Sequence, residues 1–411
     1  MPRLLLLLPS ATYRATDFVA AAAALGVEVV VGSEHAQALA GAMGDRAVVV
    51  PLDRPDTAAD VIVELAGRVP LDAVVAVDDG GVLVAALAAE RLGLAHNPPA
   101  AVAATRDKAA QRRAFAAAGV PSPDFRVIGP GGDVAGLAAE VGFPCVIKPV
   151  SLSGSRGVIR ADDPAAAVAA AARTRSIVAA AGDDADGRLL VERFVPGPEV
   201  AVEALLRGGR LGVLAVFDKP DPLDGPYFEE TLYVTPSRLP APVLDGLAAV
   251  VGDATAALGL VEGPVHAEAR LSPGGQLVVL EVAARSIGGL CSRALRFGVG
   301  VSLEELLLRS VLGLPVDDLT REAAASGVMM LPIPRSGILV EVAGVDRARA
   351  VPGVVGVEIT VPRGRPVLTL PEGDRYLGFA FARGATPADV EGSLRAASAA
   401  LDVVIESTGR P

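Results

Sequence analysis

The chain has 411 residues, 51% hydrophobic and 21% charged, with a formal net charge of −11 at pH 7. That balance excludes disordered, collagen-like and coiled-coil chains, and the acidic excess argues against a nucleic-acid partner, which would leave a basic stripe. Mean hydropathy is +0.47, yet no uncharged apolar run reaches the ~18 residues that a membrane span needs, so no membrane partner is expected.

In chain order, Leu4–Leu8, Val27–Val31, Ala47–Leu52 and Ala73–Val77 read as short buried strands, with helices near 14–24, 34–43, 56–68 and 80–93 between them. The first run is too short for a secretory apolar region and stops at Pro9, so it reads as a strand rather than a leader. Continuous Val/Leu runs alternating with helices predict a small doubly wound parallel sheet. No GxGxxG follows the first strand, which argues against a dinucleotide site there. A boundary follows at His96-Asn97-Pro98-Pro99. Two helical stretches then run to Ala118, and Gly119-Val120-Pro121-Ser122-Pro123 stops them. From 124 onward come strands at Phe143–Val150, Gly157–Arg160 and Leu189–Phe194 and a helix at Pro164–Ala181. Gly208-Gly209 and Gly274-Gly275 each divide two apolar runs, which predicts a largely antiparallel sheet over 199–283 with one helix, 241–258, inserted. The segment from 327 reads as short strands plus a helix near 387–400. Cys145 and Cys291 have no CxxC partner and make no disulfide framework, so a reducing, cytoplasmic setting is expected.

Three constellations carry chemistry. Lys148-Pro149-Val150-Ser151-Leu152-Ser153-Gly154-Ser155-Arg156-Gly157 is a strand that delivers a lysine into a Ser/Gly loop. Such a loop offers N–H groups, hydroxyls and a guanidinium to phosphate oxygens, or is a plain hairpin. Glu268 and Glu281 flank the Gly274-Gly275 turn, with His266, Glu268 and Arg270 on one strand face. Two such carboxylates suit a hard cation bound to phosphates, Mg²⁺ or Mn²⁺, unless they are ordinary solvated strand residues. Glu192-Arg193-Phe194-Val195-Pro196-Gly197-Pro198-Glu199 is a strand-to-strand hinge whose backbone suits an adenine edge. His266 reads either as a group that orients substrate or takes a proton from the amine, or as a buried structural histidine. Cys145 reads as core and Cys291 as pocket lining. Asp78 and Asp79 lie where an open α/β sheet binds ligands, with helix capping the simpler role.

Taken in order, these motifs resemble the ATP-grasp superfamily across about 300 residues. The likeness begins at Asn97-Pro98 with Asp107-Lys108 and Gly119–Pro123, and continues through Gly142-Phe143-Pro144, Lys148-Pro149 and the Glu268/Glu281 pair. It implies an α/β and α+β fold with residues 1–97 a Rossmann-like N-terminal domain and 98–123 a helical linker. Residues 124–198 would be the lid lobe, 199–326 the core carrying the metal and acyl site, and 327–411 a small C-terminal α+β lobe. It further implies that Lys108 and Lys148 contact the phosphates of ATP. Ser151–Gly157, with Ser153, Gly154 and Ser155 at its centre, would close over them. Glu192, Phe194 and Val195 would take adenine, Glu199 the ribose hydroxyls, and Glu268 and Glu281 the metal. The superfamily often has Asn two residues after the second Glu, where this chain has Ala283. The stretches Glu262–Glu268 and Glu281–Gly289 look like the branch of L-amino-acid ligases and carnosine-synthase-like enzymes. There the arginine four residues after the second Glu, Arg285 here, contacts the transferred phosphate and acyl group. The implied activity is ATP-dependent joining of a small carboxylate to a small amine through an acyl phosphate, with Arg285, Lys148 and His266 as catalytic residues. A homodimer is common in the superfamily. The rival readings are a biotin-carboxylase-type or purine-pathway enzyme on the same scaffold, and a nucleotide-binding module without turnover.

Overall fold

The computed structural model describes all residues except 11, 37–39, 184–186, 317 and 408–411. The N-terminal domain begins with β1 (Arg3–Leu7), α1 (Ala15–Ala24), β2 (Glu28–Ser33), α2 (Ala40–Met43), β3 (Ala47–Val49), α3 (Pro55–Ala66), β4 (Ala73–Ala76) and α4 (Asp79–Leu92). The strands form a parallel sheet in the order β3-β2-β1-β4. Leu4, Leu5, Leu6 and Leu7 are fully buried on both faces, each side chain contributing about 1.5–3 kcal/mol of burial. The helix expected over 34–43 starts too early: Glu34–Ala36 is irregular chain after β2, Ala40–Met43 is helical, and residues 37–39 lie outside the described residues.

Two linker helices follow, α5 (Pro99–Thr105) and α6 (Lys108–Ala118). Asp107 separates them and caps α6, its carboxylate accepting from the Ala109 and Ala110 N–H groups at 2.8 and 3.0 Å, which supplies partners for two orphan helix donors. This cap places Lys108 at the first position of α6. The lid lobe is β5 (Phe125–Ile128), α7 (Val134–Val141), β6 (Cys145–Pro149), β7 (Ile159–Ala161), α8 (Pro164–Ala180) and β8 (Leu189–Arg193). Its sheet order is β5-β8-β6-β7, antiparallel throughout. The strand β5 and the eight-residue helix α7 were not expected from the sequence; both are short, and α7 opens on an Asp133 cap to the Gly136 N–H.

The central sheet is built from β9 (Glu199–Arg207), β10 (Arg210–Lys219), β11 (Leu232–Thr235), β12 (Gly263–Leu271) and β13 (Leu277–Ala283), with α9 (Ala241–Leu258) inserted as the sequence indicates. Helix α9 is the one described helix long and apolar enough to cross a membrane by length and composition. It carries Asp245 and Asp253, and its Leu247, Val250, Val251 and Ala254 share a buried cluster with Val200, Val202, Val265 and Ala267 of the sheet. That packing leaves the alternate residues of β9 and β12 on the opposite face. Helix α10 (Leu303–Val311), capped by Ser302, packs against α1 and joins the core to the N-terminal domain.

The remaining elements are β14 (Ala325–Leu331), β15 (Gly337–Ala343), α11 (Val345–Arg349), β16 (Val354–Ile359), β17 (Pro366–Val367), β18 (Gly378–Gly384), α12 (Pro387–Ala399) and β19 (Asp402–Glu406). Strands β14, β18 and β16 extend the central sheet, giving the eight-stranded order β13-β12-β9-β10-β11-β14-β18-β16. The Leu232↔Met329 register makes that join. Only β15, β17 and β19 form a separate three-stranded sheet.

Candidate active site

The polar face of the central sheet is written in its register. Lys219 of β10, Glu199 of β9 and Arg270 of β12 lie directly across from one another. Four residues along, Glu203 of β9 pairs with His266 of β12, which pairs with Ala283 of β13. Between these rows Glu268 lies directly opposite Glu281. This face lines one side of a cavity of about 510 Å³. The cavity is also lined by the Ser/Gly loop, the 193–195 hinge, Tyr13 and Asp78–Gly80 of the N-terminal domain, and Leu368–Tyr376 between β17 and β18.

Lys219 is the hub. Its ammonium donates to Glu199 Oε1 at 2.6 Å, to Glu268 Oε1 at 2.9 Å, and to Glu230. Burial works against the Lys219 charge, but the three carboxylates outweigh it and raise its pKa well above the usual lysine value. Glu230 is raised in turn, burial outweighing Lys219. It also accepts from the hydroxyls of Tyr233 at 2.8 Å and Tyr376 at 3.4 Å. Glu268 is held well below its ordinary value: Lys219 and His266 overcome the cost of burial. Ligand oxygens of Glu199, Glu230 and Glu268 lie within 4.8 Å of one another, with the Lys219 ammonium already bonded to all three.

His266 Nδ1 lies 2.5 Å from Glu203 Oε1 and Nε2 3.7 Å from Glu268 Oε1. Burial favours the neutral ring, but Glu203 prevails and pushes the pKa up to about 9. His266 is therefore an imidazolium at neutral pH, without the lone pair that a proton acceptor needs. Glu203 uses its other oxygen to accept from the Ile287 N–H at 2.9 Å, fixing the start of the Ile287–Gly289 segment.

The expected phosphate-side lysines do converge. Lys148 Nζ lies 2.5 Å from Glu192 Oε2, and both are buried. Desolvation lowers the Lys148 pKa. Lys108 Nζ donates to Leu152 O at 2.8 Å and lies 3.2 Å from Glu281 Oε1, and the Lys108 N–H donates to Val150 O at 2.8 Å. Helix α6 is thus tied to the Ser/Gly loop at both backbone and side chain. In that loop Leu152, Gly154, Ser155 and Gly157 all have positive φ, between 56° and 72°. Ser151 Oγ is buried there with no hydrogen-bond partner among the described residues. Ser153 and Gly154 are exposed at the tip, with Ser155 half-buried.

At the hinge, the Phe194 N–H donates to Pro144 O at 3.0 Å and Val195 O accepts from Arg270 at 2.7 Å. The Val195 N–H and the Phe194 carbonyl have no such partner among the described residues, one donor and one acceptor side by side. The Glu192 side chain is held elsewhere: its second oxygen lies 2.6 Å from Arg112 Nε, an ion contact without hydrogen-bond alignment. Burial raises Glu192, yet Arg112 and Lys148 outweigh it and keep it ionised. At Glu199 both carboxylate oxygens are engaged, by Lys219 and by Arg270 Nε at 2.8 Å.

Arg285 lies just past the end of β13. Its Nε is 2.9 Å from Asp79 Oδ1 and its Nη1 donates to Ser286 O at 3.0 Å. Burial opposes the guanidinium charge and Asp79 restores it, moving the pKa upward overall. Asp79 is thus a partner of Arg285, while Asp78, the residue before α4, makes no side-chain cap. Cys291 is buried, with its thiol pushed far up by desolvation, and Cys145 is pushed up to about 11 for the same leading reason; neither is a thiolate nucleophile.

Sequence reasoning found Lys108, Lys148, Glu268, Glu281, His266 and Arg285, and the fold brings all six to one cavity. It gave no role to Glu203 or Tyr376. The i, i+4 spacing of Glu199 and Glu203 on an otherwise apolar strand was the available signal, because both must then occupy one face.

The chain belongs to the ATP-grasp superfamily. The ATP-grasp N-terminal domain model matches residues 19–96 and the ATP-grasp domain model residues 141–294. Within it the chain carries the L-amino acid ligase C-terminal domain 2, matched over 329–406. It is 32% identical over 263 residues to an uncharacterized protein of Sinorhizobium fredii, covering 64% of this chain and 53% of that one. It is 27% identical over 273 residues to alanine–anticapsin ligase of Bacillus subtilis, covering 62% and 57%. The chain thus spans little more than half the length of these two relatives. Among solved structures it resembles L-amino acid ligase from Bacillus licheniformis, with a TM-score of 0.81, 24% identity and 99% of each chain covered. It resembles phosphoribosylglycinamide synthetase from Anaerococcus prevotii at a TM-score of 0.69, 15% identity, and 98% and 100% coverage.

Proposed function

We propose that the chain is an ATP-dependent carboxylate–amine ligase that joins an amino acid to a second amino acid or small amine, releasing ADP and phosphate. The observation that carries this reading is the convergence of Lys108, Lys148, Glu268, Glu281 and Arg285 on one cavity between three lobes. The L-amino acid ligase C-terminal domain and the ligase relatives favour this reading over a carboxylase or purine-pathway enzyme on the same scaffold.

In this reading the adenine edge meets the free Val195 N–H and Phe194 carbonyl. The phosphates lie under the Ser/Gly loop, with Lys148, Lys108 and the Ser151 hydroxyl as donors. Glu268 and Glu281 fit Mg²⁺ or Mn²⁺. They are hard oxygen donors opposed in the ladder, with side chains 22% and 29% exposed to the cleft, each neutralised by a lysine. Such an ion, when bound, offsets phosphate charge. Ala283 supplies no third donor. A carboxylate oxygen of the acid attacks the γ-phosphorus, the bond to the β-bridging oxygen breaks, and ADP leaves. Arg285 and Lys148 stabilise the charge on the transferred group. The amine nitrogen, its ammonium having lost one proton to solvent, attacks the acyl carbon; the carbon–oxygen bond breaks, phosphate leaves with the electron pair, and the nitrogen's surplus proton passes to the departing phosphate. His266, as imidazolium, orients Glu268 and the substrate rather than accepting the proton. The lid lobe and the Leu368–Tyr376 segment exclude water, which would otherwise hydrolyse the acyl phosphate. The two buried thiols and the small-molecule chemistry accord with a cytoplasmic setting.

The test is phosphate release from Mg·ATP with the twenty amino acids, singly and in pairs, with mass spectrometry of each positive reaction. A pair-dependent product at the summed mass minus water supports the ligase. ATP binding without any condensation removes the amino-acid reading.

A further inference from the structure

The segment Leu368–Tyr376 brings a second group of charges to the cavity, away from the sheet. Tyr376 is anchored to Glu230, and its neighbour Arg375 also lines the cavity. Arg375 engages Asp374 through Nε and Nη2, at 2.7 and 3.0 Å. Its Nη1 has no partner among the described residues. Arg156 of the Ser/Gly loop lies close enough to act on the same Asp374, and its Nε is buried with no hydrogen-bond partner. The two segments are tied by the Gly157 N–H donating to Pro371 O at 2.9 Å, and Arg173 of α8 holds the second of them by a bidentate pair to Glu372 at 2.7 and 2.9 Å. Across from Arg375 stands Tyr13 of the N-terminal domain, whose phenol feels the Arg375 charge. The other cavity cations, Lys108, Lys148, Arg193, His266, Arg270 and Arg285, all have carboxylate or carbonyl partners. Arg156 and Arg375 both line the cavity, each with a guanidinium N–H that no described residue accepts.

Resting on the ligase reading, we propose that Arg375, with Arg156 beside it, forms an anion subsite that takes the α-carboxylate of the incoming amine. The acceptor is therefore an amino acid rather than a simple amine. A planar guanidinium with unengaged N–H groups is the donor that matches a carboxylate. Arg375 lines the cavity together with Tyr13 and Tyr376. Asp374 holds the guanidinium plane and offsets one of the two guanidinium charges, leaving the subsite net positive.

The experiment compares each amino acid found as an acceptor with its carboxamide, in wild-type enzyme and in Arg375→Met and Arg375→Lys. The Arg375 side chain is 47% exposed, so neither variant disturbs the core. Arg375→Met is expected to raise the KM for the amino acid at least tenfold, to leave the carboxamide and ATP KM values within twofold, and so to abolish the preference for the acid. Arg375→Lys is expected to recover part of that preference. An unchanged acid-over-amide preference in Arg375→Met overturns the subsite while the ligase stands. A rise in the ATP KM instead assigns the anion to phosphate and overturns it too. Absence of condensation in the wild type overturns the ligase reading and the subsite with it.

Discussion

Arg285, just past the end of β13, and Asp79 of the N-terminal domain meet at 2.9 Å, which makes the first residue of α4 a support for the arginine proposed for the acyl site. The guanidinium is thereby aimed by a domain that supplies none of the phosphate-side lysines. Asp79→Asn keeps the shape and weakens the aim. It is expected to lower kcat/KM for ligation about tenfold while leaving the ATP KM within twofold; Arg285→Ala is expected to retain ATP binding and lose product. Ligation at the wild-type rate in Arg285→Ala would remove the arginine from the mechanism.

Glu281→Gln preserves the Lys108 contact distance but removes a charge from the proposed metal pair. Mg²⁺-dependent ATP turnover is expected to fall below measurable levels, with circular dichroism and Tm near wild type. Wild-type turnover in this variant would contradict the metal assignment.

The Glu203–His266 pair gives stability a pH signature. The folded pKa of about 9 stands above the unfolded 6.5, so the contribution is fully present below pH 6.5 and is lost as pH rises through 9. It is on the order of 3 kcal/mol. Glu203→Gln is expected to flatten the decline in denaturation midpoint between those pH values. A decline as steep as that of the wild type would place the titration elsewhere.

Lys219→Met leaves Glu199, Glu230 and Glu268 facing one another without their shared cation. Loss of one partner from a buried charge group costs about 3–5 kcal/mol, so Tm is expected to drop by several degrees at pH 8. Part of that loss is expected to return near pH 5, as Glu230, already raised by burial, takes a proton. Calorimetry at the two pH values checks both halves.

The long elements were legible because their patterns are strong. Strand β1 is an unbroken leucine run, α9 is bounded by Pro240 and Gly259, and β12 and β13 flank a Gly-Gly turn. Lys148, Glu268 and Arg285 were legible because each sits in a motif. Lys219 was harder to read, because its importance comes from three glutamates 11 to 49 residues away, a relation that only strand register creates. The hinge glutamates Glu192 and Glu199 carried a nucleotide expectation, and their side chains pair with Arg112, Lys148, Lys219 and Arg270. A carboxylate in a motif and a carboxylate balancing a buried cation look the same in one dimension.

The run of hydrogen bonds from β11 to β14 and on to β18 has a consequence for how such enzymes diversify. A chimaera cut before residue 325 would strip three strands from the central sheet and leave the β11 edge open, a template for pairing with foreign chains. Interchange of whole C-terminal segments between relatives therefore demands matched edges. The connection between β17 and β18, which contributes Arg375 and Tyr376 but no strand to that sheet, is free of this demand and is the economical place to graft a new preference.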